Sequence, residues 1–216
     1  MTVLLGRLRF QPHAQAARNA VRLRACAVGQ GEQTLKVDAE GLLDQLAIPY
    51  MLTGSVATSY HGRPRATHDA DLVIDPTPPQ LDALVQKLAA AGFYVDPDGA
   101  REALRQRRQF NAIETRHACK IDLIVRRDRP FSRAELARRV AVDLTFGQAV
   151  SIVTPEDAIL SKLEWARRAG DSERQLADAA GVLDINPALD REYIARWAQD
   201  LGVTDLWLRI SGHSDS

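Results

Sequence analysis

The chain has 216 residues, 28 Lys+Arg against 28 Asp+Glu for a formal net charge of zero, and 45% hydrophobic residues. This is ordinary globular composition, which excludes a chain disordered throughout. The length suits one domain with a large core, or one plus a small appendage, and the apolar runs are too short for a transmembrane helix.

Taken in chain order, residues 1–31 carry five arginines (Arg7, Arg9, Arg18, Arg22, Arg24) and no acid. Residues 1–35 read as a basic extension, either a weakly ordered, disordered arm or the product of an upstream start codon, and are given no function; Val3–Leu5 is too short an apolar stretch for a signal-peptide core. From there the pattern turns globular. Asp38 is expected to N-cap a short helix through Leu42, Leu43 and Leu46, ended by Pro49. Tyr50–Thr53 reads as a buried strand broken at Gly54, and Ser55–Tyr60 as a short helix opened by that glycine turn. A polar loop, 62–67, precedes a half-apolar, half-acidic strand, 70–75. Pro78 or Pro79 starts a helix carrying Leu81, Leu84, Val85 and Leu88 at helical spacing and stopped by Gly92. Asp96-Pro-Asp98-Gly99 reads as a turn. Gln109–Arg116 and Lys120–Val125 form an expected hairpin. Ser132-Arg-Ala-Glu135 has the form of a capping box, and 143–153 offers two short strands. Beyond Pro155 the chain reads as helical, over roughly 155–168, 172–184 and 190–201, with Asp190 as N-cap. The expectation is a mixed α/β unit over 36–153 followed by a helical subdomain over 154–216.

The zero net charge is a cancellation. The extension contributes +5, residues 32–100 contribute −6, residues 101–139 contribute +7 and residues 140–216 contribute −6. The Arg101–Arg139 block suits either a polyanion-binding surface or a set of solvated helix faces, and the neutral total does not exclude an RNA partner. Two cysteines, Cys26 and Cys119, cannot build a disulfide framework or a cysteine-rich metal site. Reduced thiols in a cytoplasmic protein are expected.

Asp69-Ala-Asp71 places two carboxylates on one face of a strand. With 19 aspartates in 216 positions, chance alone gives about 1.7 such pairs, and Asp96/Asp98 is a second one. Context separates them. Asp69 and Asp71 follow a strand–Gly54-Ser55–helix unit whose helix N-terminus offers backbone N–H groups and a positive dipole end to a phosphate. A third acid, Asp122, lies between Ile121 and Leu123 in an apolar strand, a costly place unless its face opens on a site or a metal. Three carboxylates facing a phosphate cradle can hold two divalent cations, and oxygen-only ligands point to Mg²⁺ or Mn²⁺.

Gly54-Ser55, then Arg65-Ala-Thr67-His-Asp69-Ala-Asp71-Leu-Val, then Ile121-Asp122-Leu-Ile, resembles the nucleotidyltransferase superfamily with the DNA-polymerase-β-like fold. Thr154-Pro-Glu-Asp157-Ala-Ile-Leu-Ser-Lys162-Leu, followed by Arg174-Gln-Leu-Ala-Asp178, is similar to the segment after the catalytic domain in AbiE-type nucleotidyltransferase toxins. The resemblance covers about residues 38–208. It implies an α+β fold, a nucleotidyltransferase-like mixed sheet flanked by helices and followed by a C-terminal helical subdomain. It implies transfer of NMP from an NTP such as ATP to a hydroxyl of an RNA (tRNA) or protein acceptor, in a protein with an antitoxin partner and no membrane association. Asp69, Asp71 and Asp122 would be metal ligands and catalytic residues, Asp178 a further catalytic residue, and Gly54, Ser55, Arg65 and Lys162 the nucleotide-binding set. One departure is Ala70, where the family usually carries a bulkier aliphatic residue. A small-molecule, aminoglycoside-type acceptor and a catalytically silent binding module are the alternatives.

Each remaining candidate has two readings. Lys162 and an Arg174/Asp178 pair at i, i+4 suit either the site or a surface salt-bridge cluster. His61 and His68 flank the loop before the acid pair and are either a base or solvated. Arg63 and Arg65 sit beside the same site and could grip phosphate. Ser55 bonds phosphate or caps its helix. Trp165, Trp197 and Trp207 are expected to be core anchors of the helical half rather than stacking platforms.

Overall fold

The structure is a computed structural model that describes residues 39–65, 69–114, 119–145 and 148–212. The expected extension over 1–35, the Asp38 cap, His68 and Cys26 all lie outside those residues.

The chain runs α1 (Ala39–Gln45), β1 (Tyr50–Thr53), α2 (Gly54–His61), β2 (Asp69–Ile74), α3 (Pro78–Ala90), β3 (Phe93–Tyr94), α4 (Pro97–Gln106), β4 (Gln109–Glu114), β5 (Cys119–Val125), α5 (Pro130–Arg138), β6 (Val140–Thr145), β7 (Gln148–Ile152), α6 (Pro155–Arg168), α7 (Glu173–Ile185), α8 (Arg191–Asp200) and α9 (Thr204–Ser211). Among the described residues, seven strands make one mixed sheet in the order β3-β4-β5-β2-β1-β7-β6. β2 lies antiparallel to β1 and parallel to β5, while β7 docks parallel to β1 with Leu52 opposite Ile152. This is the mixed α+β architecture expected from the alternation of short apolar strands with periodic helices.

Two apolar cores result. One gathers Leu52, Leu72, Ile74, Leu84, Leu123 and Ile152 around the sheet, and the other gathers Ile159, Leu163, Val182, Ile194 and Trp207 from α6–α9 together with Phe131. Helix α6 belongs to both, since Ala158 faces the first and Ile159 and Leu160 the second.

Two expectations are corrected, and two elements are added. Asp96-Pro-Asp98 opens helix α4 rather than a turn: Asp96 accepts a hydrogen bond from the Asp98 N–H (3.1 Å), and a cap aspartate followed by proline starts a helix as readily as it makes a bend. Helix α5 begins at Pro130, not at a Ser132 capping box. Pro130 supplies the first-turn geometry, which leaves Ser132 and Glu135 buried inside the helix, with Arg129 donating to Ser132 Oγ (3.0 Å) and Ser161 donating to Glu135 (3.1 Å). Helix α9 and the two-residue β3, both unanticipated, complete the helical half and the sheet edge. Among the described residues no helix is long and apolar enough to cross a membrane.

Candidate active site

The carboxylates are brought together by strand register. Asp71 lies opposite Thr53 on β1 and opposite Asp122 on β5, so the two acids stand side by side on adjacent parallel strands. Asp69, one pleat before Asp71, is opposite Lys120. Asp71 presses against the β1–α2 turn. Gly54 has φ +63°, and a Cβ there would lie 2.0 Å from Asp71 Oδ2 and 2.5 Å from its carboxyl carbon. Only glycine satisfies both demands, a left-handed backbone and no side chain. The Ser55 backbone N–H donates to Asp71. The helix N-terminus expected to offer free N–H groups to a phosphate therefore has this one engaged with a carboxylate.

The Asp71 carboxyl is held above the usual carboxylate range by burial and by the nearby charge of Asp122, with Lys162 and the Ser55 N–H opposing. Asp122 is buried, and its Oδ1 has no hydrogen-bond partner. A buried, orphaned carboxylate oxygen is costly in a protein interior, and a hard cation is the chemistry that would satisfy it. Among the described residues no three acidic or imidazole groups converge on one point as they stand. Instead the Lys120 ammonium lies 3.0 Å from Asp122 and 3.5 Å from Asp69, its pKa raised by the hydrogen bond to Asp122. The donor set and the orphaned oxygen fit a divalent cation, with Lys120 giving way to it.

The opposite wall is cationic. Lys162 on α6 is buried and donates to Asp178 Oδ2 at 2.8 Å, while Arg65 reaches the same carboxylate with Nε at 2.9 Å and a terminal nitrogen at 3.0 Å. Burial pushes the Asp178 carboxyl up, but the hydrogen bonds from Arg65 and Lys162 outweigh it and hold it low. Arg65 also donates to Ser55 Oγ. These contacts tie the loop after α2 to α7 and aim two cations across a cleft of about 300 Å³ lined by Gly54, Ser55, Arg65, Asp69, Asp71, Asp122, Lys162, Trp165 and Arg174, among others. Asp178 does not line the cleft. It stands behind the two cations it joins.

The position of α6, and so of Lys162, is set by buried polar contacts. Thr154 caps the helix by accepting from the Asp157 N–H (3.3 Å), and Asp157, fully buried, accepts from Thr154 (2.8 Å), Tyr193 (2.7 Å) and Arg138 (3.2 Å). His61 shares a 2.7 Å hydrogen bond with the Val153 carbonyl. Its pKa is lowered by burial, so it is a tether between α2 and the start of α6, not a solvated residue or a base beside the acids.

Other expectations change too. Arg63 turns outward to Asp184 (2.9 Å, exposed). The Arg174/Asp178 pair does not form, and Arg174 stands exposed at the cleft mouth. Trp207 and, in part, Trp197 belong to the helical core, but Trp165 is 43% exposed and lines the cleft. Gln109, Ser161 and Gln175 also line it, and sequence reasoning had not singled them out. Ala158, Ser161, Lys162 and Trp165 follow the i, i+3, i+4, i+7 spacing of one helix face, a signal readable only once the covered side of α6 is known. Much of the Arg101–Arg139 block is neutralised locally, by Asp75, Asp82, Asp98, Glu102, Asp128, Glu156 and Glu164.

No protein-family model and no curated protein matches the chain. Among solved structures, the antibiotic-resistance factor ANT(2'')-Ia in solution is similar with a TM-score of 0.51 and 14% identity, over 81% of this chain and 93% of that one. An antigenic nucleotidyltransferase-like protein from Paracoccidioides brasiliensis follows at 0.47 and 18% identity, over 80% and 88%. A crystal structure of ANT(2'')-Ia with adenylyl-2''-tobramycin gives 0.47 and 16% identity, over 76% and 92%. The chain shares its fold with the first of these.

Proposed function

We propose that this protein is a metal-dependent nucleotidyltransferase that moves NMP from an NTP to the hydroxyl of an RNA or protein acceptor. The observation that carries the reading is the register of Asp71 against Asp122, with the Asp71 carboxylate seated on the Gly54 turn and a Lys162/Arg65 wall facing them. Asp69, Asp71 and Asp122 would hold Mg²⁺ or Mn²⁺. Bound there, the cation supplies Lewis acidity to the acceptor hydroxyl and charge neutralisation to the departing pyrophosphate.

The chain's own residues do the rest. Lys162 and Arg65 grip the β- and γ-phosphates, with Ser55 Oγ orienting Arg65. Asp178 positions both cations through the bonds that already occupy its oxygens. The acceptor oxygen attacks the α-phosphorus, its proton passes to a carboxylate oxygen of Asp122, and the bond from the α-phosphorus to the bridging oxygen breaks, so that its electron pair leaves with pyrophosphate. This geometry requires no histidine.

The resemblance to AbiE-type toxins supports a toxin role with an antitoxin partner in the cytoplasm. A second reading, a silent nucleotide-binding module, draws on Lys120 standing among the carboxylates. One experiment separates the two. The protein and its Asp71→Asn variant are incubated with each labelled NTP, Mg²⁺ and total tRNA. Label transferred by the wild type and lost in the variant supports transfer. NTP binding with no label on any acceptor supports the module. A small antitoxin-like reading frame beside the gene would support the toxin role.

A further inference from the structure

Beside the cleft, and sharing Thr53, Ile124, Ser161 and Trp165 with it, lies a recess of about 60 Å³. Its measure is that of about four to six water molecules, enough for one phosphate group and too little for a nucleoside. Three guanidiniums, Arg127, Arg129 and Arg168, converge on the single carboxylate of Glu164: Arg129 with two bonds of 2.6 Å, Arg127 at 3.4 Å, and Arg168 in direct contact. A fourth, Arg126, lines the recess but is paired elsewhere, with Asp75. The other acid in the lining, Glu135, is pushed up to about 8 by burial and by Asp157, so it is largely neutral at pH 7. Three positive charges thus share one negative charge. The excess is felt locally, since Arg127 is lowered by burial and by the charge of Arg168. Each guanidinium carries five N–H donors against about four acceptor sites on Glu164, and the surplus donors suit an anion.

The exposed Trp165 stands at the seam between recess and cleft, with the Arg168 guanidinium 5.7 Å from its ring centroid. Along β5 and its continuation, Arg126 is four residues beyond Asp122, about 13 Å at the rise of an extended strand. We infer that this recess is a subsite for a backbone phosphate of a single-stranded RNA acceptor, with Trp165 as the platform for an adjoining base. A stacking aromatic beside a guanidinium cluster is the arrangement that holds single-stranded nucleic acid. The recess begins at Ile124, two residues or about 7 Å beyond Asp122, and runs to Arg126, so an acceptor that reacts at the carboxylates and also fills the recess carries an anion along its length. The inference rests on the transfer reading for the position of the reacting hydroxyl.

The test measures binding apart from transfer. A fluorescein-labelled single-stranded RNA oligonucleotide is titrated with the full chain at several salt concentrations, and a fluorescent ATP analogue with Mg²⁺ is titrated separately. The double variant Arg127→Gln/Arg168→Gln is expected to bind RNA about tenfold more weakly, with the salt slope flattened by about 0.7, the share of one phosphate contact on a single strand. Its ATP-analogue binding and circular dichroism should match wild type. Trp165→Ala is expected to weaken RNA about tenfold by loss of one stacked base. Glu164→Gln is the opposing control: it raises the surplus charge, so RNA binding should tighten, whereas a merely structural ion pair would only lose stability. A folded double variant with unchanged RNA affinity and salt slope overturns the inference, as does polyglutamate displacing RNA at equal charge concentration, which would assign the recess to acidic protein. RNA binding that responds to these variants in a protein that transfers no label would leave the recess standing and sink the transfer reading instead.

Discussion

Replacing Gly54 by alanine isolates what the β1–α2 turn does for the carboxylates. Gly54 and Gly170 have nearly the same left-handed backbone, φ +63° and +69°, but a Cβ at Gly170 would meet nothing within 4 Å, whereas at Gly54 it would lie 2.0 Å from Asp71 Oδ2. Gly170→Ala therefore carries only the backbone cost, about 1–2 kcal/mol, or about 2–8 °C in Tm for a chain of this size. Gly54→Ala carries that cost plus overpacking of about 1–3 kcal/mol. The obstructing atoms include Cβ and Cγ of Asp71, so no flexible side-chain end can swing away and the carboxylate itself must shift. A displacement of about 1 Å at a reacting centre costs about a hundredfold in rate. Urea denaturation of both variants, with pyrophosphate release as the activity assay, should show Gly54→Ala losing more stability than Gly170→Ala and about a hundredfold in turnover, while Gly170→Ala stays near wild type in turnover. Equal stability losses, with turnover in Gly54→Ala within threefold of wild type, would refute the seating of Asp71 on the turn.

Asp71→Asn should abolish transfer while leaving the Tm of the metal-free protein at or above wild type, because the folded state already disfavours the ionised carboxyl; a clear drop in Tm would contradict this. Glu135 is raised in the fold from 4.5 to about 8, so its contribution is fully present below pH 4.5 and is lost as pH rises toward 8. Glu135→Gln, always neutral, should match wild type near pH 4.5 and exceed it near pH 8 by an amount on the order of 4 kcal/mol, and parallel curves of urea midpoint against pH would count against it. Lys120→Met removes an ammonium that competes for Asp69 and Asp122. Such a partly exposed ion pair is worth up to about 1 kcal/mol, so Mn²⁺ followed by electron paramagnetic resonance should bind about fivefold tighter, and unchanged affinity would remove Lys120 from the cation's place. Asp178→Asn leaves the Arg65 and Lys162 cations without their shared carboxylate, which should cost about 3 kcal/mol, or about 6–12 °C by differential scanning fluorimetry. An unshifted melt would show that the bridge contributes nothing.

The parts of the fold that could be read in advance carry their own punctuation. Tyr50–Thr53 emerges residue for residue because an apolar run meets Gly54, and α6 and α8 because Thr154-Pro155 and Asp190 mark their starts. Helix α4 escaped because Asp-Pro-Asp-Gly serves a turn and a helix start equally well. In the site, Asp69 and Asp71 are legible only beside the Gly54 turn that precedes them, and Asp122 only as an acid within an apolar strand. Their arrangement is not legible, since it depends on β2 pairing parallel to β5 in one register out of several. Trp165 departs from its expected core place because which face of α6 is covered is decided by its packing on α2, α7 and α8, contacts no local pattern encodes. The neutralisation of the Arg101–Arg139 block was equally hidden, because partners such as Glu156 and Glu164 arrive from later elements.

The pairing of Leu52 with Ile152 also has a consequence in time. A ribosome adds about 5–20 residues per second, so Lys162 is made roughly 5–20 seconds after Gly54. Asp122 is made about two-thirds of the way through that interval and Ile152 only near its end, so β1 waits for its parallel neighbour and Arg65 waits for Lys162 opposite. The cleft therefore gains its Lys162 side only once α6 has been made, and a product halted before α6 would lack it.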